Sequence, residues 1–153
     1  MRRLAVWIAT GFGIGYFPVA PATVASFAVA LVLLLLSGSL DPWIVGGAAL
    51  AVAAIGVWSA GEAEKTLGTD AKPIVIDEVV GMMVGVCGVP MGASPILTLG
   101  LLFVLFRVFD IWKPLGIGRS QSLPGGWGVM VDDVLAGLAT NVVLRILVGW
   151  LAP

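Results

Sequence analysis

The sequence predicts an all-α protein, a polytopic membrane helical bundle of about five spanning helices that follow a short N-terminal interfacial segment. Of its 153 residues, 59% are hydrophobic and only 11% are charged, whereas soluble domains carry roughly 25% charged residues. The mean hydropathy is +1.10, so lipid must solvate much of the surface. Only helices and closed barrels satisfy their backbone inside a bilayer, and the apolar runs have helical length. The length predicts a single membrane-embedded domain, residues 1–153.

Uncharged stretches define the predicted spans. No charge occurs between Arg3 and Asp41, or from there to Glu62. The uncharged stretch between Glu78 and Arg107 is too long for one helix and is interrupted by prolines and glycine, so it predicts two helices that meet at a turn. The short apolar run at residues 4–8 is predicted to lie at the interface or to pack on the bundle. The predicted spans are residues 24–40, 43–60, 73–89, 96–112 and 134–152.

The positive charges predict the orientation. With these spans, one membrane face receives nearly all the charged residues, and the turns on the other face carry no Lys or Arg. Because Lys and Arg concentrate in cytoplasmic segments, the charged face is predicted to be cytoplasmic. Its positive residues are Arg2, Arg3, Lys65, Lys72, Lys113 and Arg119.

The acidic residues on that face predict a metal site. The chain has no histidine and one cysteine, so any metal site must use oxygen ligands, which favours Mg²⁺, Mn²⁺ or Ca²⁺. Carboxylates at the ends of membrane helices are costly unless they are solvated, paired or bound to metal. Five of the nine acidic residues form three clusters at the ends of apolar helices: Asp77 with Glu78, Asp110, and Asp132 with Asp133.

Each cluster also has a plain structural interpretation. Asp132 or Asp133 can cap a helix N-terminus, Arg107 and Asp110 can form an intrahelical ion pair, and the acids at 77–78 can be solvated helix-end charges. Any one of these is easily accepted. All three together are harder to accept in a chain with so few charges, which favours a functional site.

Cations and glycines near these acids predict phosphate binding. Arg107 and Lys113 are spaced to share a helix face with Asp110 and provide a bidentate and a point charge for phosphate. Gly125 and Gly126 allow backbone N–H groups to approach an anion, although the same glycines are equally typical of a plain turn.

Two hydroxyl residues near the N-terminus have a structural and a functional interpretation. Thr23 is a good N-cap for the first predicted span. In the functional interpretation, Thr23 and Ser26 point their hydroxyls at the charged pocket. The preceding glycines at 11, 13 and 15 follow no predicted strand, which argues against a dinucleotide-binding loop.

Taken in order, these motifs resemble the phosphatidylglycerophosphatase A family. The matching blocks are residues 11–26 (GFGIGYFPVAPATVAS), 74–81 (IVIDEVVG) and 106–137 (FRVFDIWKPLGIGRSQSLPGGWGVMVDDVLAG). Where the family usually reads Pro-Gly-Thr, this chain has Pro21, Ala22 and Thr23. The resemblance implies a Mg²⁺-dependent enzyme of the bacterial inner membrane that removes the phosphate monoester of phosphatidylglycerophosphate to give phosphatidylglycerol.

The resemblance also implies roles for the clustered residues. The carboxylates would hold one or two Mg²⁺ ions, and Arg107, Lys113 and the glycine backbone would neutralise charge on the phosphate oxygens. A water activated by the metal is favoured as the nucleophile, with an aspartyl nucleophile and a general-base role for one acid left open. The predicted metal ligands and catalytic residues are Asp77, Glu78, Asp110, Asp132 and Asp133.

Other functions are less compatible with the sequence. A net charge of −1 and a pI near 5.1 offer no electrostatic surface for nucleic acid. Ala93 stands where a cysteine phosphatase using Cys87 would carry its arginine, and histidine phosphatases are excluded by composition. The remaining alternatives are another phospholipid head-group enzyme, whose usual motif is absent, and a small ion transporter, which would not explain Arg107 and Lys113 beside the acids.

Overall fold

The computed structural model describes residues 1–91, 94–114, 117, 120 and 122–151. Within those residues the chain forms six α-helices and no strand, as predicted. Short 3₁₀ helices at Ile14–Tyr16 and Ser37–Ser39 follow the first and second helices. The α-helices are α1 (Arg2–Ala9), α2 (Pro21–Leu35), α3 (Pro42–Leu67), α4 (Ile76–Val86), α5 (Pro95–Trp112) and α6 (Gly126–Leu151).

Successive long helices run up and down between two ends of the bundle. Helices α3 and α5 begin at one end, where Asp41 and Ser94 accept hydrogen bonds from the first free N–H groups of these helices. Proline is the first residue of both helices, where it has no hydrogen bond to lose. Helices α2, α4 and α6 begin at the opposite end, which therefore brings together the charged segments 68–78, 107–113 and 132–133.

The structure does not confirm about five spanning helices. Among the described residues, two helices are long enough and apolar enough to cross a membrane, α3 and α5. Helix α2 has 15 residues and α4 has 11, which is about 22 and 16 Å at 1.5 Å per residue, short of the ~30 Å hydrocarbon thickness. The span predicted at 73–89 is therefore wrong in length, because the helix begins at Ile76 and ends at Val86.

Helix α1 packs on the bundle, as one of its two predicted placements required. Ala5 and Ala9 are fully buried, whereas Leu4 and Trp7 on the other face are exposed. The helix contacts α3. The backbone N–H of Val75 donates to the carbonyl of Ala9, at 2.9 Å, and so ties the segment before α4 to the end of α1.

Two predicted helix starts were wrong. Helix α2 begins at Pro21, so Thr23 is inside the helix and does not cap it. Helix α6 begins at Gly126, so Asp132 and Asp133 are its seventh and eighth residues and are not N-caps. In both places the helix begins several residues before the predicted span, because Pro21 at the start of α2 and the buried Val129 and Met130 in α6 belong to the helix as well.

Candidate active site

Three carboxylates from two helices meet at the charged end of the bundle. One oxygen each from Asp77, Glu78 and Asp133 lies within 4.8 Å of the other two. Their residues are 9%, 5% and 2% exposed, which rules out the interpretation of Asp77 and Glu78 as solvated helix-end charges. Oδ1 of Asp77, Oε2 of Glu78 and Oδ2 of Asp133 are buried without a hydrogen-bond partner. Buried oxygens of this kind require a ligand or a proton to offset their desolvation.

Close packing of α4 against α6 brings these carboxylates together. A Cβ atom on Gly137 would lie 2.4 Å from the carbonyl oxygen of Gly81, and one on Gly81 would lie 2.8 Å from the carbonyl oxygen of Asp133. Both glycines follow an acid of the site, Asp77 or Asp133, by four residues, so each acid and its glycine share a helix face. The two helices run in the same direction from the site, and glycine at both positions lets their backbones approach.

A polar contact at the other end of α4 fixes the same two helices. The amide of Asn141 donates to the carbonyls of Val84, Gly85 and Cys87 at 2.9–3.1 Å. Arg145 donates to Asn141 Oδ1 and to the Cys87 carbonyl, both at 2.8 Å. The last carbonyls of α4 have no partner within the helix, and these two side chains satisfy them.

Arg107 contacts two of the acids without lining the cavity. Its Nη1 lies 2.9 Å from Asp110 Oδ2 and 3.7 Å from Glu78 Oε1. Nη1 has the distance but not the alignment of a hydrogen bond, so the contact is an ion pair. Of the described residues, those that line the central cavity do not include Arg107. The ion pair with Asp110 predicted from the sequence is present, and Arg107 lies farther from the cavity than the phosphate-binding interpretation anticipated.

Lys113 lies between two of the acidic clusters, Asp110 and the pair Asp132 and Asp133. It follows the last residue of α5 in a left-handed conformation, with φ 44°. Its ammonium group hydrogen bonds to Oδ2 of Asp132 and lies 3.9 Å from Oδ1 of Asp110. Lys113 thus contacts acids of two helices and also reaches the cavity.

All these acids surround one cavity of about 240 Å³. Asp70, Lys72 and Ala22 line this cavity, although none of them was predicted as a site residue from the sequence. Asp70 and Lys72 could have been predicted from their position, because they lie just before the acidic motif of α4. The charge of this loop was used only to predict the orientation in the membrane. The remaining lining residues are Pro21, Ala71, Ile74, Asp77, Glu78, Asp110, Lys113, Asp132 and Asp133.

Four predicted substrate-binding residues lie elsewhere among the described residues. The fully buried Ser26 donates its hydroxyl to the Ala22 carbonyl at 2.9 Å, and Thr23 is not part of the cavity lining. Gly126 packs on α3, where a Cβ would lie 2.0 Å from the carbonyl oxygen of Val57. Gly125, with φ +58°, lines a separate cavity of about 130 Å³, so the two glycines serve a turn and a helix contact.

Another glycine of the first motif has a packing role. A Cβ on Gly15 would lie 1.9 Å from the carbonyl oxygen of Pro73, so the loop after α1 rests directly on the segment that leads into α4. Together with the hydrogen bond from Val75 to Ala9, this contact fixes the start of α4 and hence the backbone of Asp77.

The electrostatics of the site favour cation binding. Burial, followed by the neighbouring charges of Glu78 and Asp110, raises the pKa of Asp133 well above its ordinary value of 3.8. Burial also raises the pKa of Asp132, although the hydrogen bond from Lys113 opposes the shift. A divalent cation among these oxygens would favour their ionised form.

In the part of the chain that the structure describes, a helical bundle surrounds one cavity with buried acids and two lysines, a set of groups that can bind a cation and a phosphate group side by side. The chain belongs to the phosphatidylglycerophosphatase A family, whose model matches residues 7–148, and it is a phosphatase.

Similar proteins are named as lipid phosphatases. A Bacteroides thetaiotaomicron protein, provisionally named phosphatidylinositol-3-phosphatase, is 34% identical, covering 94% of this chain and 92% of its own length. The phosphatidylglycerophosphatase A proteins of Escherichia coli and Haemophilus influenzae are 32% and 31% identical, covering 90% and 94% of this chain and 79% and 88% of their own lengths. No solved structure matches this chain significantly.

Proposed function

We propose that this protein hydrolyses the phosphate monoester of phosphatidylglycerophosphate to phosphatidylglycerol, in a reaction that depends on Mg²⁺. The observation that carries the proposal is the convergence of Asp77, Glu78 and Asp133 beside Lys72 and Lys113 in one cavity. Membership of the family and the names of two relatives support the choice of lipid.

The carboxylates fit Mg²⁺. Oxygen ligands of Mg²⁺ lie ~2.1 Å from the ion, so three oxygens within 4.8 Å of one another could converge on one ion after their side chains adjust. Unpartnered oxygens on Asp77, Glu78 and Asp133 would provide the ligands. Asp110 and Asp132 are paired with cations at the cavity edge and would complete or orient the shell. When bound, Mg²⁺ would offset the charge of the phosphate oxygens.

The residues around the carboxylates have separable roles. Lys72 and Lys113 line the cavity and would neutralise charge on the phosphate, which is the main requirement of phosphoryl transfer. Arg107, which does not line the cavity, would fix the orientation of the Glu78 and Asp110 side chains. An acid of the site whose pKa is raised by burial is suited to accept a proton from the attacking nucleophile.

We propose that the protein is a multi-pass protein of a bacterial inner membrane with this site at the cytoplasmic face. Helices α3 and α5 would cross, and α2, α4 and α6 would extend into the same bilayer beside them. Lys65, Lys72 and Lys113 lie at the site end, and the positive charge at the other end is Arg145 among the described residues, which agrees with the positive-inside rule. Arg119, also counted for this orientation, lies outside the described residues.

Phosphate release from phosphatidylglycerophosphate by the purified protein in detergent, with Mg²⁺ and then with excess EDTA, tests the proposal. Release that needs Mg²⁺ is expected, and Asp77→Asn and Asp132→Asn should abolish it without loss of folded protein. Glu62→Gln, at an exposed ion pair with Lys65, is the matched control. Release that persists in EDTA would contradict the metal requirement.

A panel of lipids distinguishes the substrates. Phosphatidylinositol 3-phosphate belongs in it because of the name of the Bacteroides relative. Phosphate release from that lipid alone would support the phosphatase reaction and show that the substrate is a different lipid. Inactivity on every lipid monoester, by folded protein with Mg²⁺ present, would remove the proposal and favour an ion-transporting role.

A further inference from the structure

An apolar groove of about 550 Å³ has lining residues that adjoin those of the charged cavity on two segments of the chain. Helix α2 forms one of its walls. Pro21 and Ala22, in the first turn, line the charged cavity, and Ala25, Ala28 and Val32 line the groove. Residues three or four apart share a helix face, so these side chains form one continuous stripe from the cavity into the groove. We call this space the α2 groove.

The opposite wall is continuous as well. Ile74 lines the charged cavity, and the next residue, Val75, lines the α2 groove. The groove then follows α4 through Val79 and Met83, and it ends near Leu36. Leu36 is 14 residues beyond Ala22, about 21 Å at 1.5 Å per residue, which exceeds half of the ~30 Å hydrocarbon thickness.

We infer that the α2 groove holds an acyl chain of the lipid whose phosphate enters the charged cavity. The inference rests on the proposed function: with the terminal phosphate beside Lys113, the head-group glycerol and the phosphodiester would extend away from it, and the glycerol that carries the acyl chains would reach the groove. The groove is lined by hydrocarbon side chains and lies along the bilayer depth that an acyl chain occupies. Its continuity with the charged cavity on two walls is what favours the substrate's own chain over a chain of bulk lipid.

A second apolar groove, of about 790 Å³, opens at the other end of the bundle, near Pro42 and Trp43. Its polar side chains, Asn141 and Arg145, are hydrogen bonded to the end of α4. Because this groove is remote from the charged cavity, a substitution in it is a suitable control. Gly47 lines it, and a Cβ there would meet no atom within 4 Å.

The test compares substrates that differ only in chain length. Phosphate release is measured from dioleoyl and dihexanoyl phosphatidylglycerophosphate in mixed micelles for the wild type, Ala28→Trp and Val32→Trp. Filling the groove should lower kcat/KM for the dioleoyl lipid about tenfold, or ~1.4 kcal/mol, comparable to about two buried methylene groups. Release from the dihexanoyl lipid and the activity of Gly47→Trp should remain at wild-type level.

Each other outcome has a defined meaning. Unchanged chain-length preference in both groove variants, or its loss in Gly47→Trp alone, would overturn the inference. A variant that loses both activities is checked for folding by its Tm in detergent, and if Ala28→Trp is unfolded, the more exposed Val32→Trp decides the result. A folded wild type that releases phosphate from neither lipid would overturn the proposed function itself, which separates the two failures.

Discussion

Gly137 lies so close to Gly81 that a single added methyl group would overlap the backbone: a Cβ on Gly137 would be 2.4 Å from the Gly81 carbonyl oxygen. Each glycine is one helical turn beyond an acid of the site. The distance between α4 and α6 at this point therefore sets the distance between Asp77 and Asp133. A change in the backbone spacing at these two glycines would therefore change the spacing of the carboxylates.

Gly137→Ala should reduce phosphatase activity strongly and destabilise the protein. The methyl group must push α6 away from α4, and overpacking of this kind costs about 1–3 kcal/mol. Activity on phosphatidylglycerophosphate and the Tm in detergent measure the effect. Gly100→Ala on α5, where a Cβ meets no atom within 4 Å, should leave both near wild type. Full activity in Gly137→Ala would show that the helix spacing does not control the site.

Asn141→Leu should destabilise the protein although it lies far from the site. It removes the amide that serves three carbonyls at the end of α4, and each buried group left unsatisfied costs about 1–3 kcal/mol. Thermal unfolding in detergent measures the loss. Val142→Ala, at the next and exposed position, is the control. A Tm equal to that of the wild type would mean that the carbonyls find other partners.

Asp133→Asn should abolish activity and raise the Tm measured in EDTA. Burial raises the pKa of Asp133, so its ionised form destabilises the folded state, most at high pH. The gain should therefore be largest near pH 8 and shrink as the pH falls and Asp133 becomes protonated. A gain of ~1 kcal/mol would raise the Tm by about 2–4 °C. Mg²⁺ should raise the Tm of the wild type and leave that of the variant unchanged; an equal Mg²⁺ effect in both would exclude Asp133 as a ligand.

Lys72→Met and Arg107→Met should affect different parameters. Lys72 lines the cavity, so its loss should weaken inhibition by inorganic phosphate about tenfold, the low end of the effect of a charged hydrogen bond. Arg107 contacts Glu78 and Asp110, so its loss should raise the Mg²⁺ concentration needed for half-maximal activity more than it weakens phosphate inhibition. Lys65→Met, at an exposed ion pair, should change neither. The reverse pattern would indicate that Arg107 binds the phosphate.

Much of the site could be predicted from the sequence because charged residues are scarce in an apolar chain. The three acidic clusters and Lys113 meet as predicted from the parity of the helices. The position of Arg107 could not be predicted, since α5 is apolar on all sides and its pattern does not indicate which face packs inward. Thr23 and Gly126 were predicted to belong to the site because of residue type, but Thr23 lies within α2 and Gly126 packs against α3 from the start of α6.

The sequence by itself determined the helical class, predicted a lipid environment and identified the acids, because composition and charge-free runs depend on local physical chemistry alone. Only the tertiary structure decided that α4 is 11 residues long, that it packs directly against α6, and that Lys72 lines the cavity. These features depend on contacts between segments distant in sequence. The glycines that permit the contacts are visible in the sequence, but the partner that each one meets is set only when the helices pack.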